Sequence, residues 1–316
     1  MSSSTGIEAL RSSYCRTNKI PICCPLCDGS VSLPFTRADR HDLGLNVVMC
    51  ERCGMGMISP RPESAWFDQF YRNDFWPVYI GSRFKDLDDM YVQDQCTERS
   101  RQIFEAIAPT LRSSSPKNYL DIGCGQGAML VEFRKRYPTA TCVGVEPSPD
   151  AAAFCFHRHG LKVEARPWDS LPTDAAPGPF DLITLIHVLE HVLDPVGVLT
   201  QAVDRLSRNG LIYIEVPDLL SERWSGKDFF HIAHIWYFHE IALRNLFLRC
   251  GLELVKITRG AADIWSWAIG FIGKKSFNKP QGPEAVPVAP STIKERLRNH
   301  VAVRVPPLVE RHFRND

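Results

Sequence analysis

Leu120-Asp121-Ile122-Gly123-Cys124-Gly125-Gln126-Gly127 decides the fold. The run Tyr119–Ile122 leading into it is short and apolar, as in a buried strand, and Ala128–Tyr137 after it has the spacing of an amphipathic helix. Glycines at such a junction permit positive φ and let the backbone approach a ligand closely. On its own the pattern fits any tight strand-to-helix turn, so the flanking sequence has to carry the argument. Outward from it, strand-like runs occur at Thr141–Val145, Lys162–Ala165, Asp181–Ile186, Leu211–Val216, Leu252–Thr258 and Ile264–Ile272, with helical patterns at Asp150–His159, Pro195–Ser207 and Glu240–Cys250. Residues 169–179 (DSLPTDAAPGP) read as a loop. Strands alternating with helices imply right-handed crossovers and a doubly wound α/β fold with a seven-stranded, mostly parallel sheet. The last two strands lie too close for a crossover helix and are expected to pair antiparallel.

Two carboxylates narrow the ligand. Asp121 precedes the glycines by two residues, and Glu146 ends the next strand in Val143-Gly144-Val145-Glu146-Pro147. A carboxylate at that strand end accepts the ribose hydroxyls of an adenosyl ligand. A dinucleotide site favours GxGxxG, which seats a pyrophosphate on the helix N-terminus. Here the spacing is GxGxG and an acid stands beside it. Asp121 would repel a phosphate and suits a ligand with a cationic amino group, which favours S-adenosylmethionine over a nicotinamide dinucleotide.

Across roughly residues 86–273 the chain resembles class I methyltransferases. The resemblance continues in Phe180-Asp181 and in His187-Val188-Leu189-Glu190-His191-Val192-Leu193-Asp194-Pro195, a pattern shared with a branch that includes the ubiquinone-type O-methyltransferases. It implies that Asp121, Gly123, Gly125 and Gly127 line the methionine part of S-adenosylmethionine, that Glu146 holds the ribose, and that His187 sits over the cofactor. After the third strand the family carries an acidic residue near the adenine. This chain has Arg166-Pro167-Trp168-Asp169, so Trp168 or Asp169 takes that place. His187-x-x-Glu190-His191 also matches an inverted zinc-protease motif, which needs both histidines on one helix face. His187 ends a strand and the helix begins near Pro195, so His191 is read as structural or pocket-lining.

Near the N-terminus, Cys24-Pro25-Leu26-Cys27 and Cys50-Glu51-Arg52-Cys53 form two C-x-x-C knuckles separated by residues 28–49. Each presents two thiolates to one tetrahedral ion, so Cys24, Cys27, Cys50 and Cys53 are the expected ligands of a structural Zn2+ in a small zinc ribbon. A closed four-sulfur shell leaves no position for chemistry. The competing reading, a redox dithiol, needs one C-x-x-C in a thioredoxin-like setting. The ribbon, the Gly54–Pro62 segment and the aromatic stretch after it add a second resemblance, to deoxysugar C-methyltransferases and polysaccharide-biosynthesis O-methyltransferases. His234 with Tyr237-Phe238 is similar to that branch's H-x-x-Y-F segment, which implies His234 as general base, with His187 as second choice. Those C-methyltransferases carry Glu where this chain has Ala233, and a further C-terminal domain where this chain has a short tail. Both differences count against C-methylation of a ketosugar. Tyr71, Phe75 and Tyr79 are candidate lid aromatics.

The organisation expected from the sequence is a ribbon module (1–60), an aromatic connector with a lid helix spanning Asp86–Ala108 (61–115), the methyltransferase domain (116–275), and a Pro-rich linker with a short terminal helix (276–316). The first residues, MSSSTGIEALRSSYCR, read as a frayed polar leader without the apolar core of a signal peptide. No run approaches the ~20 apolar residues of a membrane span. Eleven cysteines without an export signal are expected to be reduced, which places the protein in the cytoplasm. With 44% hydrophobic and 23% charged residues and a net charge of +1, composition indicates an ordinary globular protein without global attraction to nucleic acid or anionic membrane. The expected function is methylation of a small-molecule acceptor, a hydroxyl (or carbon) of a sugar or glycan precursor. An RNA methyltransferase gripping its substrate with the ribbon remains a competitor, although Asp28, Asp39, Asp42 and Glu51 dilute Arg37, Arg40, Arg52 and Arg61. A non-catalytic methyltransferase-like scaffold is the third reading, and oligomeric state is not legible in the sequence.

Overall fold

The structure is a computed structural model that describes residues 3–30, 32–75, 78, 84–111, 116–221, 223, 227–259 and 267–276. The expected C-terminal linker and terminal helix therefore fall outside the described residues, Ser276 apart. The N-terminal segment is a helix, Ser3–Arg16, rather than a frayed leader. Leu10 and Tyr14, one helical turn apart, are buried, and Ser13 Oγ accepts a hydrogen bond from the Trp66 indole at 2.9 Å. Two apolar side chains at that spacing suffice because they dock on a preformed aromatic surface.

Short strands follow: β1 (Lys19–Ile20), β2 (Ser32–Thr36), β3 (Val47–Cys50), β4 (Gly56–Ile58) and β5 (Arg61–Pro62). β1 pairs with β5, and β2, β3 and β4 form an antiparallel sheet. A helix at Ser64–Gln69 continues into a wider helical turn at Phe70–Asp74.

The sheet read from the sequence is present with six strands among the described residues. β6 (Asn118–Ile122), β7 (Thr141–Val145), β8 (Phe180–Ile186) and β9 (Leu206–Pro217) are parallel neighbours in the order β7-β6-β8-β9. A short β10 (Trp236–Tyr237) comes next in the chain, then β11 (Leu252–Arg259) and β12 (Ala268–Lys275). β12 runs antiparallel to β9 and to β11, as their proximity in sequence required. The expected seventh strand, Lys162–Ala165, contributes a single parallel bridge between Val145 and Glu164. Pro167 limits it, having no N–H to donate to a ladder, and Arg166 N–H turns back onto Glu164 O at 2.9 Å.

Helices Ala128–Arg136, Pro149–His159, Pro195–Asp204 and Glu240–Arg249 match the sequence reading to within a few residues. The helix expected over Asp86–Ala108 is two, Leu87–Gln93 and Cys96–Ile107, broken where Gln95 adopts φ 49°. No proline or glycine marks the break. It aims the second segment so that Ile103, Phe104 and Ile107 are buried.

β10 does not join the large sheet. It pairs antiparallel with β4, completing a four-stranded sheet in the order β10-β4-β3-β2. The cysteine region is thereby sewn into the α/β unit. One continuous apolar core runs from Cys24, Cys53 and Met55 through Tyr237 and Phe247 to Leu120, Ile183 and Ile214.

Candidate active site

The carboxyl ends of β6, β7 and β8 place the predicted cofactor residues together, as open α/β sheets do. Asp121 is buried, and its Oδ1 accepts from the Thr184 hydroxyl at 2.5 Å, while the Tyr119 and Thr184 hydroxyls lie 2.7 Å apart. Thr184 is Asp121's register partner on β8. Burial raises Asp121 to about 7 against the Thr184 hydrogen bond, and the nearby Glu146 charge adds to the rise. Glu146 is also buried. Its Oε2 accepts from Gly125 N–H at 2.9 Å and its Oε1 from Ser148 N–H at 2.9 Å, yet burial still raises it to about 7. Desolvated carboxylates held this way favour a cationic or hydroxyl-bearing ligand.

The glycine loop has the conformation its sequence requires. Gly123 (φ 69°), Gly125 (φ 53°) and Gly127 (φ 76°) all lie in the left-handed region. A Cβ on Gly123 would collide with Val188, and one on Gly127 would stand 3.0 Å from Cys155 Sγ. A Cβ on Gly125 would meet nothing within 4 Å. Gly125 therefore offers a bare backbone face beside Glu146, and these residues fit S-adenosylmethionine.

His187 stands at the end of β8 with φ 55°, a strained conformation for a non-glycine residue. Its Nδ1 is 3.0 Å from Glu190 Oε1 and its Nε2 is 3.4 Å from Glu215 Oε1. Burial opposes its protonation, but the bonds to the two carboxylates prevail and raise it above the usual histidine value. Burial would raise Glu215, but the Arg99 charge and the His187 bond bring it down to about 2. Arg99 reaches Glu215 at 2.5 Å, and Tyr213 donates to its other oxygen at 2.7 Å. With carboxylates at both ring nitrogens, His187 is placed to carry charge rather than to accept a proton.

His234 lies in the turn before β10. It is buried, its ring centroid is 3.7 Å from that of His231 and 5.0 Å from that of His191, and its Nδ1 has no hydrogen-bond partner. Burial holds it well below the usual histidine value, and the neighbouring His231 and His191 add to the effect. The Tyr71 hydroxyl is within hydrogen-bonding distance of Ala233 O (2.8 Å) and His191 O (3.0 Å), and Phe75 packs 5.7 Å from the His191 ring. Tyr71 and Phe75 thus pack against His191; Tyr79 lies outside the described residues.

Trp168 is buried. Its indole N–H points to Val198 O at 3.3 Å, and Arg205 covers its ring at 4.5 Å, fixing it in the core. Asp169 beside it is exposed and free to contact a ligand.

The four predicted cysteines converge, with Sγ–Sγ separations of 3.4 Å (Cys24–Cys53), 3.5 Å (Cys27–Cys50) and 3.6 Å (Cys27–Cys53), all buried. Tetrahedral Zn–S bonds of ~2.3 Å place sulfurs at about this spacing. His239 Nε2 is 3.0 Å from Gly54 O, and Arg249 bonds Leu26 O and Asp28, so the knuckles face the α/β unit.

Sequence reading gave no role to Thr184, Glu190 or Arg99. Thr184 could have been found from strand register alone. Arg99 could not, because the helix break that aims it has no sequence signal.

A Rossmann-like sheet with paired acids at the glycine turn defines the class I methyltransferase fold. The sequence profile of a methyltransferase-domain family matches residues 95–257, more than half of the chain, and the chain belongs to that family. It is 39% identical over 87 residues to a norajmaline N-methyltransferase of Rauvolfia serpentina, covering 26% of this chain and 30% of that protein. It is 33% identical over 119 residues to a ubiquinone biosynthesis O-methyltransferase of Dinoroseobacter shibae, covering 36% and 47%. The chain thus spans less than half the length of either relative. Among solved structures it superposes on a Burkholderia thailandensis 1,6-didemethyltoxoflavin-N1-methyltransferase with TM-score 0.51 at 18% identity, covering 70% of this chain and 96% of that one. No helix among the described residues is long and apolar enough to cross a membrane.

Proposed function

We propose that this protein transfers a methyl group from S-adenosylmethionine to a small-molecule acceptor, a hydroxyl of a sugar or glycan precursor, with Zn2+ held by Cys24, Cys27, Cys50 and Cys53. The observation that carries the reading is the pair of buried carboxylates, Asp121 and Glu146, flanking the bare backbone of Gly125. Asp121 receives the amino group, Glu146 the ribose hydroxyls, and Asp169 the adenine edge. When bound, the cofactor supplies a methyl group activated by a sulfonium. The neutral thioether leaves without an acid, so the protein has to orient the acceptor and remove its proton. His234 is our candidate for the proton-removing residue: it packs against His191, which in turn meets Tyr71 and Phe75, and its Nδ1 is unengaged. A small acceptor is supported by the burial of this histidine cluster and by the names of the two relatives. The sugar class rests on the ribbon and the segment that follows it.

The test follows tritium from methyl-labelled S-adenosylmethionine into a fractionated cell extract supplied with the protein. Label in a nuclease-resistant small-molecule or glycan pool is the expected result. Label in nuclease-sensitive material would move the acceptor to RNA. His234→Ala should abolish turnover and keep cofactor affinity; retention of both would remove His234 from the reaction.

A further inference from the structure

Glu190, His191 and His234 each bring one ligand atom to within 4.8 Å of the other two. His187, the first histidine of the sequence motif, ends a strand and spends its Nδ1 on Glu190 Oε1 at 3.0 Å rather than joining this group. The second imidazole comes instead from the turn before β10. Three observations show that the meeting is built rather than incidental. Glu190 Oε2 and His234 Nδ1 are both buried without any hydrogen-bond partner, in residues that are only 1% and 9% exposed. Orphaned polar atoms are costly when nothing reaches them. Second, His191 Nδ1 is 2.9 Å from Ala233 O and 3.5 Å from the Tyr71 hydroxyl. A proton on Nδ1 leaves Nε2 as the lone-pair nitrogen, and that atom is 3.9 Å from Glu190 Oε1. Fixing a ligand's tautomer through its other nitrogen is a recurring feature of metal-binding histidines. Third, backbone bonds lock the two halves together: Ile235 N–H donates to Glu190 O at 2.8 Å, and Ile58 N–H on β4 donates to Ile235 O at 3.0 Å.

We propose that Glu190, His191 and His234 bind a second divalent cation, of the zinc or manganese class, on the acceptor side of the site. Two imidazoles and one carboxylate suit such ions and leave coordination positions open, unlike the four-cysteine shell. This rests on the proposed methyl transfer and replaces one part of it: the open positions take the acceptor's oxygens, and His234 serves as a ligand in place of the proton-accepting role given to it above. Coordination lowers the proton affinity of the acceptor hydroxyl. Its O–H bond breaks and the proton passes to solvent. The oxygen then bonds the methyl carbon as the carbon–sulfur bond breaks, its electron pair staying on sulfur. No oxidant or reductant enters.

The experiment counts metal in the full chain loaded with Zn2+ and then with Co2+, with S-adenosylmethionine binding measured on the same preparations. Wild type should hold two equivalents per chain. In Glu190→Gln and His234→Ala one equivalent remains, with the intense thiolate-to-cobalt band of the cysteine site intact, and affinity for the other falls more than about 100-fold. In Cys53→Ser the thiolate band is lost while the second equivalent binds. One equivalent in wild type, with S-adenosylmethionine still bound, overturns the cation site and leaves His234 as the direct proton acceptor. Two equivalents that survive in Glu190→Gln overturn it as well, whether or not His234→Ala folds. Failure to bind S-adenosylmethionine would instead overturn the function on which the proposal rests.

Discussion

At the scale of single residues, two glycines with similar backbone angles should fail in different ways. Gly123→Ala places a methyl group against Val188 in addition to the strain of positive φ. We expect about 1–3 kcal/mol of lost stability, read as a lower urea midpoint. Gly125→Ala meets open space, so only the left-handed strain of ~1–2 kcal/mol acts on the fold, while its methyl group occupies the face offered to the cofactor. It should fold and fail to bind S-adenosylmethionine; binding within a few-fold of wild type would show that Gly125 does not face the ligand. Asp121 makes a separate prediction. Its pKa of about 7 lies above the unfolded carboxyl value, as does that of Glu146. The ligand-free protein is therefore favoured by these groups at acid pH and loses that contribution as pH rises through about 7. A cationic ligand needs the ionised form, so cofactor affinity should rise with pH and level off above about 7, with protons released on binding below that. Calorimetry at pH 6.5 in buffers of different ionisation enthalpy measures the release. Asp121→Asn should lose it, together with about 10- to 150-fold in affinity, the worth of one charge-assisted hydrogen bond.

At the scale of elements, the sequence was informative where periodicity and punctuation agreed. Thr141–Val145 is the strand its residues announced, and Pro149–His159 has Ser148 as N-cap and Gly160 in the left-handed conformation at its C-terminus. It was silent where the decision is tertiary. Nothing in Met90–Arg101 marks the kink at Gln95, and Trp236-Tyr237 reads as part of a catalytic segment rather than as a strand completing the ribbon sheet. The placing of Asp121 and Glu146 at the glycine turn and the convergence of the four cysteines were legible because each sits in a local motif. The grouping of Glu190, His191 and His234 was not, because the chain between them crosses a helix and a central strand. The kink has an energetic signature. It carries Arg99 to Glu215, 15% and 3% exposed in their side chains. Arg99→Leu leaves the Glu215 charge with only His187 and Tyr213 and should destabilise the protein by roughly 3 kcal/mol. Pairing it with Glu215→Leu should return much of that in urea denaturation. A single variant as stable as wild type would mean that the ion pair holds nothing in place.

At the scale of the whole molecule, the four-cysteine region is packed into the α/β unit rather than appended to it, and under the proposed function it walls the acceptor site. β4 pairs with β10, β10 follows directly on the turn that holds His234, and one apolar core joins the cysteines to the central strands. Elements sharing a core unfold together, so the protein should melt in one transition, and removing metal from the cysteines should lower that transition as a whole. The acids proposed to hold the cofactor, Asp121 on β6 and Glu146 just after β7, belong to the large sheet, whereas His234 lies in the turn before β10. Partial loss of ribbon metal should therefore reach turnover first. Cys50→Ser, assayed below its melting temperature, should keep S-adenosylmethionine affinity within a few-fold of wild type and lose most methyl transfer. Two separate melting transitions, with the higher one unmoved by the substitution, would show that the ribbon folds alone and that the acceptor site stands without it.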